Sequence, residues 1–109
     1  MATHPLDAMI VAPEHHDLLF ENDRVRVLDT KLPPGQRTPV HAHEWPAALY
    51  VLSWSDVLRR DANGAVLADS RGRPVPELGS GLWIESLPPH SVENVGSTDL
   101  HIIAVEVKV

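Results

Sequence analysis

Two histidines, His41 and His43, are separated by one residue in the stretch HAHEWPAALYVLSW, and this spacing points to metal binding. Residues i and i+2 of a β-strand project from the same face, so both imidazoles would point to one side. Neutral imidazole is a ligand suited to Fe, Zn, Ni and Cu ions. Two histidines do not complete such a site, so a further donor must come from elsewhere in the chain.

The candidate third ligand is His90, in the stretch GSGLWIESLPPHSVEN. Three histidines with coordination positions left open are typical of a catalytic metal site and not of a closed structural one. We therefore predict one divalent metal ion per chain (iron, zinc, manganese or nickel) bound by His41, His43 and His90. The alternative is a cavity that keeps its histidines without a metal, in which each imidazole would need another hydrogen-bond partner.

Composition narrows the class of protein. The chain has 109 residues, no cysteine and a formal charge of −6. Disulfides and thiolate ligands are therefore excluded, and the negative charge argues against a nucleic-acid partner. The N-terminal stretch lacks a basic start and a long apolar run, so we predict a cytoplasmic protein with no signal peptide and no membrane span.

Short strand-like runs separated by turns predict an all-β, antiparallel sandwich or barrel in a single domain. Residues 1–14 are predicted to be a loosely held N-terminal arm, and residues 15–109 the barrel. Asn63-Gly64 lies between two strand-like runs and predicts a type I′ hairpin turn. The predicted strands are HDLLFEN, RVRVLDTKL, AALYVLSW, the two arms of DVLRRDANGAVLADS, LWIES and LHIIAVEVKV, with LPPH as a corner.

Alternation along the last strand predicts which side chains face the interior. Its odd positions, including His101 and Val105, are more apolar than its even positions, which include Glu106, so we expect the odd face to point inward. His101 would then be a core histidine or a group close to the site. Adjacent residues on a strand face opposite sides, so His15 and His16 cannot both enter a cavity, and we interpret both as surface residues.

Two motifs resemble those of the cupins. Gly35 followed after five residues by His41-x-His43 resembles the first cupin motif, and Gly79, His90 and Asn94 match the spacing of the second. The resemblance covers about residues 15–107. It implies an antiparallel jelly-roll β-barrel and, as in many cupins, a homodimer.

The resemblance also suggests which residues line the cavity. Cupins often carry a glutamate four or five residues after the second histidine, where this chain has Ala47 and Ala48. The candidate substrate-binding residues are Ala47, Leu49, Val51, Trp83 and Asn94. Glu85 and His101 are the candidate catalytic residues, as proton carriers. Glu85 could instead be a fourth metal ligand or a solvent-facing carboxylate at the end of a strand.

Three functions remain open at this point. The resemblance implies a mononuclear non-haem metal enzyme of dioxygenase type that acts on a small organic substrate. A non-catalytic cupin that binds or senses a small ligand is the first alternative. A metal-free isomerase or epimerase acting on sugar nucleotides is the second, and the charge of −6 disfavours it because such ligands need a basic phosphate-binding surface.

Overall fold

The computed structural model describes residues 4–109, which form one short helix followed by nine β-strands. The elements are α1 Ala8–Val11, β1 His16–Glu21, β2 Val25–Leu32, β3 His41–His43, β4 Ala47–Ser53, β5 Val57–Asp61, β6 Val66–Asp69, β7 Gly81–Ile84, β8 Leu87–Asn94 and β9 Leu100–Val107.

The strands form two antiparallel sheets. One has five strands in the order β1-β2-β9-β4-β7, and the other has four in the order β3-β8-β5-β6. Residues of both sheets line the cavity between them, and hydrogen bonding does not close the sheets into a continuous barrel. The prediction of an all-β, antiparallel jelly-roll fold is confirmed.

Pro88 and Pro89 lie inside β8, so the prediction that LPPH forms a corner is wrong. β8 pairs with β3 through His41 opposite His90 and His43 opposite Leu87, and the register shifts between these two pairs. Proline cannot donate a hydrogen bond to a ladder and is tolerated at such irregularities. β8 therefore begins at Leu87, and its first part, up to His90, is the irregular stretch.

The hairpin between β5 and β6 is present, but the predicted type I′ turn is wrong. That turn needs positive φ at both central residues. Here Gly64 has φ of 91°, whereas Asn63 is not in the positive-φ region. The Gly64 N–H donates to the carbonyl of Asp61, and the Asp61 N–H donates to that of Ala65. The loop is thus longer, and its glycine alone takes the left-handed conformation.

The N-terminal segment packs against the sheets, so the expectation of a loosely held arm is wrong for residues 4–14. The side chains of Asp7, Ala8 and Ala12 are buried. The Ala42 N–H donates to the carbonyl of Leu6 at 2.7 Å. Residues 1–3 of the predicted arm lie outside the described residues, and the boundary at residue 15 stays a prediction.

β9 lies at the centre of the five-stranded sheet, and its even positions face the cavity. The predicted inward orientation of His101 is therefore wrong: its Nε2 lies 2.7 Å from Asp29 Oδ1 on the outer face. Both faces of this strand carry apolar residues, so alternation alone did not distinguish them. The same alternation predicts that Glu106 faces outward, and this is also wrong. Arg26, directly opposite on β2, pairs with Glu106 and makes its burial possible.

The outer face of the same sheet carries a row of apolar side chains. Register places one such residue from each strand side by side, from the β1 edge to the β7 edge. The edge residues Phe20 and Trp83 are 52% and 57% exposed. The row consists of Phe20, Val27, Val105, Ala48 and Trp83.

Candidate metal centre

The structure brings His41, His43 and His90 together between the two sheets. The His41 ring centroid lies 5.0 Å from that of His43 and 4.5 Å from that of His90, and the His43 and His90 centroids are 5.5 Å apart. His41 and His43 share one face of β3, and the pairing of His41 with His90 across β3 and β8 supplies the third ring.

A fourth histidine, His16, joins this cluster and was missed in the sequence. Its ring centroid lies 5.1 Å from that of His41 and 5.7 Å from that of His43. The expectation that His16 is a surface residue is wrong, since it is 3% exposed. The alternation of apolar and polar residues could not reveal the burial of His16, because β1 is an edge strand in which His16 is the one buried residue. His15 is also buried, but its Nδ1 lies 3.3 Å from the Lys31 carbonyl, outside the cluster.

Backbone carbonyls fix the tautomer of three of the rings. Nδ1 lies 3.0 Å from the Ala12 carbonyl oxygen in His16, 2.8 Å from that of Pro39 in His41 and 2.7 Å from that of Pro88 in His90. A carbonyl oxygen only accepts, so each Nδ1 is the protonated donor and each Nε2 carries the free lone pair. Metal-binding histidines are typically oriented in this way.

The same three imidazoles are held in their neutral form. Burial lowers the pKa of His41 to about 3 and the pKa of His16 and His90 to about 4, although their bonds to backbone carbonyls favour the charged form. A neutral imidazole is the form that binds a metal. These three rings therefore present nitrogens that can bind a metal at neutral pH.

His43 faces a buried carboxylate, that of Glu106. His43 Nδ1 lies 3.5 Å from Glu106 Oε2, and the other oxygen, Oε1, accepts from Arg26 Nε at 2.6 Å. Burial would raise the pKa of Glu106, but the contacts with His43 and Arg26 bring it below its ordinary value. Glu106 lies directly opposite Ala47 on β4, so the carboxylate comes from the strand next to the one where the resemblance placed it.

The donor set fits a divalent metal ion. The ligand nitrogens of His16, His41 and His43 lie within 4.8 Å of one another, so these three residues could hold one ion, with the His90 ring in contact with His41. Within residues 4–109, Glu106 Oε2 is buried and has no hydrogen-bond partner, and it lies 3.5 Å from His43 Nδ1. A nearby cation would compensate that oxygen.

The histidines lie at the wall of a cavity of about 380 Å³ between the sheets, lined mostly by apolar side chains. Such a volume and lining suit a small organic ligand. Arg59 contributes a cation to this wall, and its Nε is buried without a hydrogen-bond partner in the described part of the chain. The apolar lining includes Leu32, Ala47, Leu49, Ile84, Leu87, Val92, Leu100, Ile102 and Ala104.

Three of the seven residues suggested for substrate binding and catalysis line this cavity: Ala47, Leu49 and the exposed Glu85. The other four lie elsewhere. Val51 is fully buried away from the cavity. Trp83 is exposed on the outer face, and its Nε1 donates to Glu85 at the edge of the cavity. Asn94 Nδ2 donates to the carbonyls of Leu32 and Thr98, and Asn94 Oδ1 accepts from Ser55 Oγ. His101 pairs with Asp29.

Comparison with solved structures identifies the fold. A cupin domain from Bordetella pertussis superposes with a TM-score of 0.68 at 21% identity, over 86% of this chain and 92% of that chain. A predicted oxalate decarboxylase from Thermotoga maritima superposes with a TM-score of 0.53 at 27% identity, over 86% of this chain and 79% of that one. The chain is a cupin in fold, and the resemblance drawn from its two motifs is confirmed.

Among curated proteins, an oxalate-binding protein of Thermotoga maritima is 33% identical over 76 residues. The match takes in 69% of this chain and 55% of the relative, so it spans about half of the relative's length. No protein-family model matches the chain. Within the described residues, no helix is long and apolar enough to cross a membrane.

Proposed function

We propose that the protein binds one divalent metal ion through His16, His41, His43 and His90. The observation that carries this proposal is the set of three buried, neutral imidazoles whose Nδ1 atoms are engaged by carbonyls, which leaves Nε2 as the ligand atom. An imidazole-rich set favours iron, nickel or zinc, whereas manganese gains more from carboxylate ligands.

The proposed activity is that of a mononuclear non-haem metal enzyme of dioxygenase type. A bound metal would supply Lewis acidity and a binding position for dioxygen or substrate. The chain's own part is to hold the imidazoles in their neutral tautomer and to surround the substrate with apolar walls that exclude water. Glu85, at the edge of the cavity, is the proposed proton carrier. The proposal leaves out His101, because it faces Asp29 on the outer side of the sheet.

The proposed substrate class is a small organic acid. Arg59 places a guanidinium on an otherwise mainly apolar wall, and its Nε has no partner there. An unpaired buried donor of this kind is costly unless an acceptor joins it, and a carboxylate matches the geometry of a guanidinium. The names of the oxalate-binding relative and of the predicted oxalate decarboxylase support the same ligand class.

The second candidate is a binding protein that holds the metal and the organic acid without turnover. It is favoured by the same Arg59 observation and by the relative described as binding oxalate. A metal-free sugar-nucleotide isomerase gains no support from the mostly apolar cavity. A cytoplasmic location and the lack of a nucleic-acid partner stay predictions from composition.

The test begins with elemental analysis of the protein reconstituted with Fe(II), Zn(II), Mn(II) or Ni(II). We expect close to one ion per chain, with most of it lost in His41→Ala and His90→Ala. Oxygen uptake by the iron form over a panel of small mono- and dicarboxylic acids then separates the two candidates. Uptake that depends on one acid supports the enzyme, and calorimetric binding without uptake supports the binding protein. Lack of metal in every reconstituted form would refute both.

A further inference from the structure

A chain of buried ion pairs connects the N-terminal segment to the histidine cluster. Asp7 Oδ1 and Oδ2 accept from Arg26 Nη2 and Nη1 at 2.8 and 2.9 Å. Arg26 Nε donates to Glu106 Oε1 at 2.6 Å, and Glu106 Oε2 faces His43 Nδ1 at 3.5 Å. The side chains of Asp7, Arg26 and Glu106 are at most 4% exposed.

We propose that Glu106 is a positioning residue that orients His43 for metal binding, and that Asp7 holds Glu106 in place through Arg26. This inference rests on the proposed metal site. It assigns His43 the same tautomer that backbone carbonyls impose on the other three rings, with Nδ1 as donor and Nε2 free. The difference is that here the group facing Nδ1, at 3.5 Å, is a charged side chain, and a hydrogen bond to a carboxylate is stronger than one to a carbonyl and would fix the orientation of the ring.

The charges of the network favour a role beyond stability. Two carboxylates share one guanidinium, so the buried group carries one negative charge that Arg26 does not balance. Asp7 already engages both terminal nitrogens of Arg26, which leaves Glu106 a single bond through Nε. An uncompensated charge is expensive in a protein interior, and a metal-bound histidine would stabilise it.

Register explains why Glu106 serves this role. Arg26, Glu106 and Ala47 lie side by side on β2, β9 and β4. The small side chain of Ala47 leaves space on one side of the carboxylate, and Arg26 anchors it on the other. His43 lies at the wall of the same cavity. Glu106 Oε2, the oxygen that Arg26 does not bind, faces Nδ1 of His43 and not Nε2, the atom left for the metal.

The experiment measures the dissociation constant for Zn(II) of the folded protein by competition with a chelator, and the visible spectrum of the Co(II) form. Glu106→Gln keeps the shape of the side chain and removes its charge. We expect it to weaken Zn(II) binding about 10–100-fold, the usual effect of losing such a partner, and to change the Co(II) spectrum. The Asp7 side chain caps α1 by accepting from the Met9 N–H, and an asparagine can do the same. Asp7→Asn should therefore weaken binding less, in the same direction.

Glu93→Gln is the matched control, because it removes an ion pair of the same 2.6 Å length, to Arg60, that does not involve the cluster. It should leave the Zn(II) dissociation constant unchanged. Combining Asp7→Asn with Glu106→Gln should add little to Glu106→Gln alone, because both act through one connected path. A general loss of stability would not produce this non-additivity in metal affinity.

Three results would overturn the inference. Wild-type affinity and an unchanged Co(II) spectrum in Glu106→Gln would refute it while leaving the proposed metal site intact. A lower melting temperature in Glu106→Gln with unchanged affinity would reduce the network to a structural role. Failure of the wild-type chain to bind Zn(II) or Co(II) would refute the inference and the metal site together. If Glu106→Gln does not fold, Glu106→Asp, which withdraws the carboxylate by one methylene, decides by the same measurements.

Discussion

Arg26 and Glu106 face each other on neighbouring strands, both point between the sheets, and their charged groups meet at 2.6 Å. Each occupies a position that would ordinarily carry an apolar side chain; Arg26 is the buried partner of Glu106, and Glu106 and Asp7 together are the buried partners of Arg26. Removing one partner of such a pair leaves a buried charge and typically costs about 3–5 kcal/mol. The pair therefore stabilises the inner side of the five-stranded sheet and holds the carboxylate that faces His43.

The roles of His16 and His101 can be separated by parallel substitutions. We expect His16→Ala to weaken Zn(II) binding at least about 10-fold, because its ligand nitrogen lies within 4.8 Å of those of His41 and His43. His101→Ala should keep full metal content, because His101 contacts Asp29 on the outer face. Elemental analysis and chelator competition check both variants. Equal metal affinity in the two would contradict the assignment of His16.

Arg59 should control binding of organic acids. Arg59→Gln removes the guanidinium from the cavity wall and should weaken binding of oxalate or a small monocarboxylate about 10–100-fold, the effect of a lost charged hydrogen bond. Isothermal titration calorimetry on the zinc-loaded protein measures it. Arg60→Gln is the control, because Arg60 pairs with Glu93 and does not line the cavity. An equal loss in both variants would point to general electrostatics.

Acid should remove the stabilising contribution of Asp7. Burial acts to raise the pKa of this carboxyl, but the bonds and charge of Arg26 hold the pKa below its ordinary value. The folded state therefore binds the proton less readily than the unfolded state, so the contribution is complete above about pH 4 and is lost as the pH falls through the folded pKa. An asparagine side chain resembles a protonated aspartic acid, so the stability difference between wild type and Asp7→Asn should shrink below about pH 4.

Urea unfolding of wild type and Asp7→Asn at a series of pH values from neutral down to about pH 3 measures this difference. A constant difference across the series would show that Asp7 is not ionised in the folded protein. Asp69→Asn serves as a control, because Asp69 pairs with Arg71 at the surface, where ion pairs contribute little.

The apolar row on the outer face leads us to keep the prediction of a homodimer. Phe20 and Trp83 expose large apolar areas at its two ends, and a second copy of the sheet would cover them. We expect light scattering to give the mass of a dimer at micromolar concentration and Trp83→Arg to shift it towards the monomer. Val75→Arg, in an exposed loop, is the control. A monomeric wild type would end this prediction without affecting the metal site.

Much of the fold and three of the four clustered histidines could be predicted from the sequence. Strands were recognisable because their apolar runs and turns are local, and His41, His43 and His90 carried family spacing. His16 could not be found in this way, because its position depends on the Ala12 carbonyl and on packing against β3. Glu106 was placed outside because a charged residue normally faces water, and its partner Arg26 is 80 positions away.

β9 lies between β2 and β4, so the two halves of the five-stranded sheet meet only through it. Any early structure in β1 and β2, or in β4 and β7, must wait for this strand to insert before the sheet is complete. Sheets with such distant pairings fold in about milliseconds to seconds, slowly for their size. Because Glu106 lies on β9, its carboxylate reaches the histidine cluster only once this strand has paired with β2 and β4, whereas the four histidines themselves lie on β1, β3 and β8.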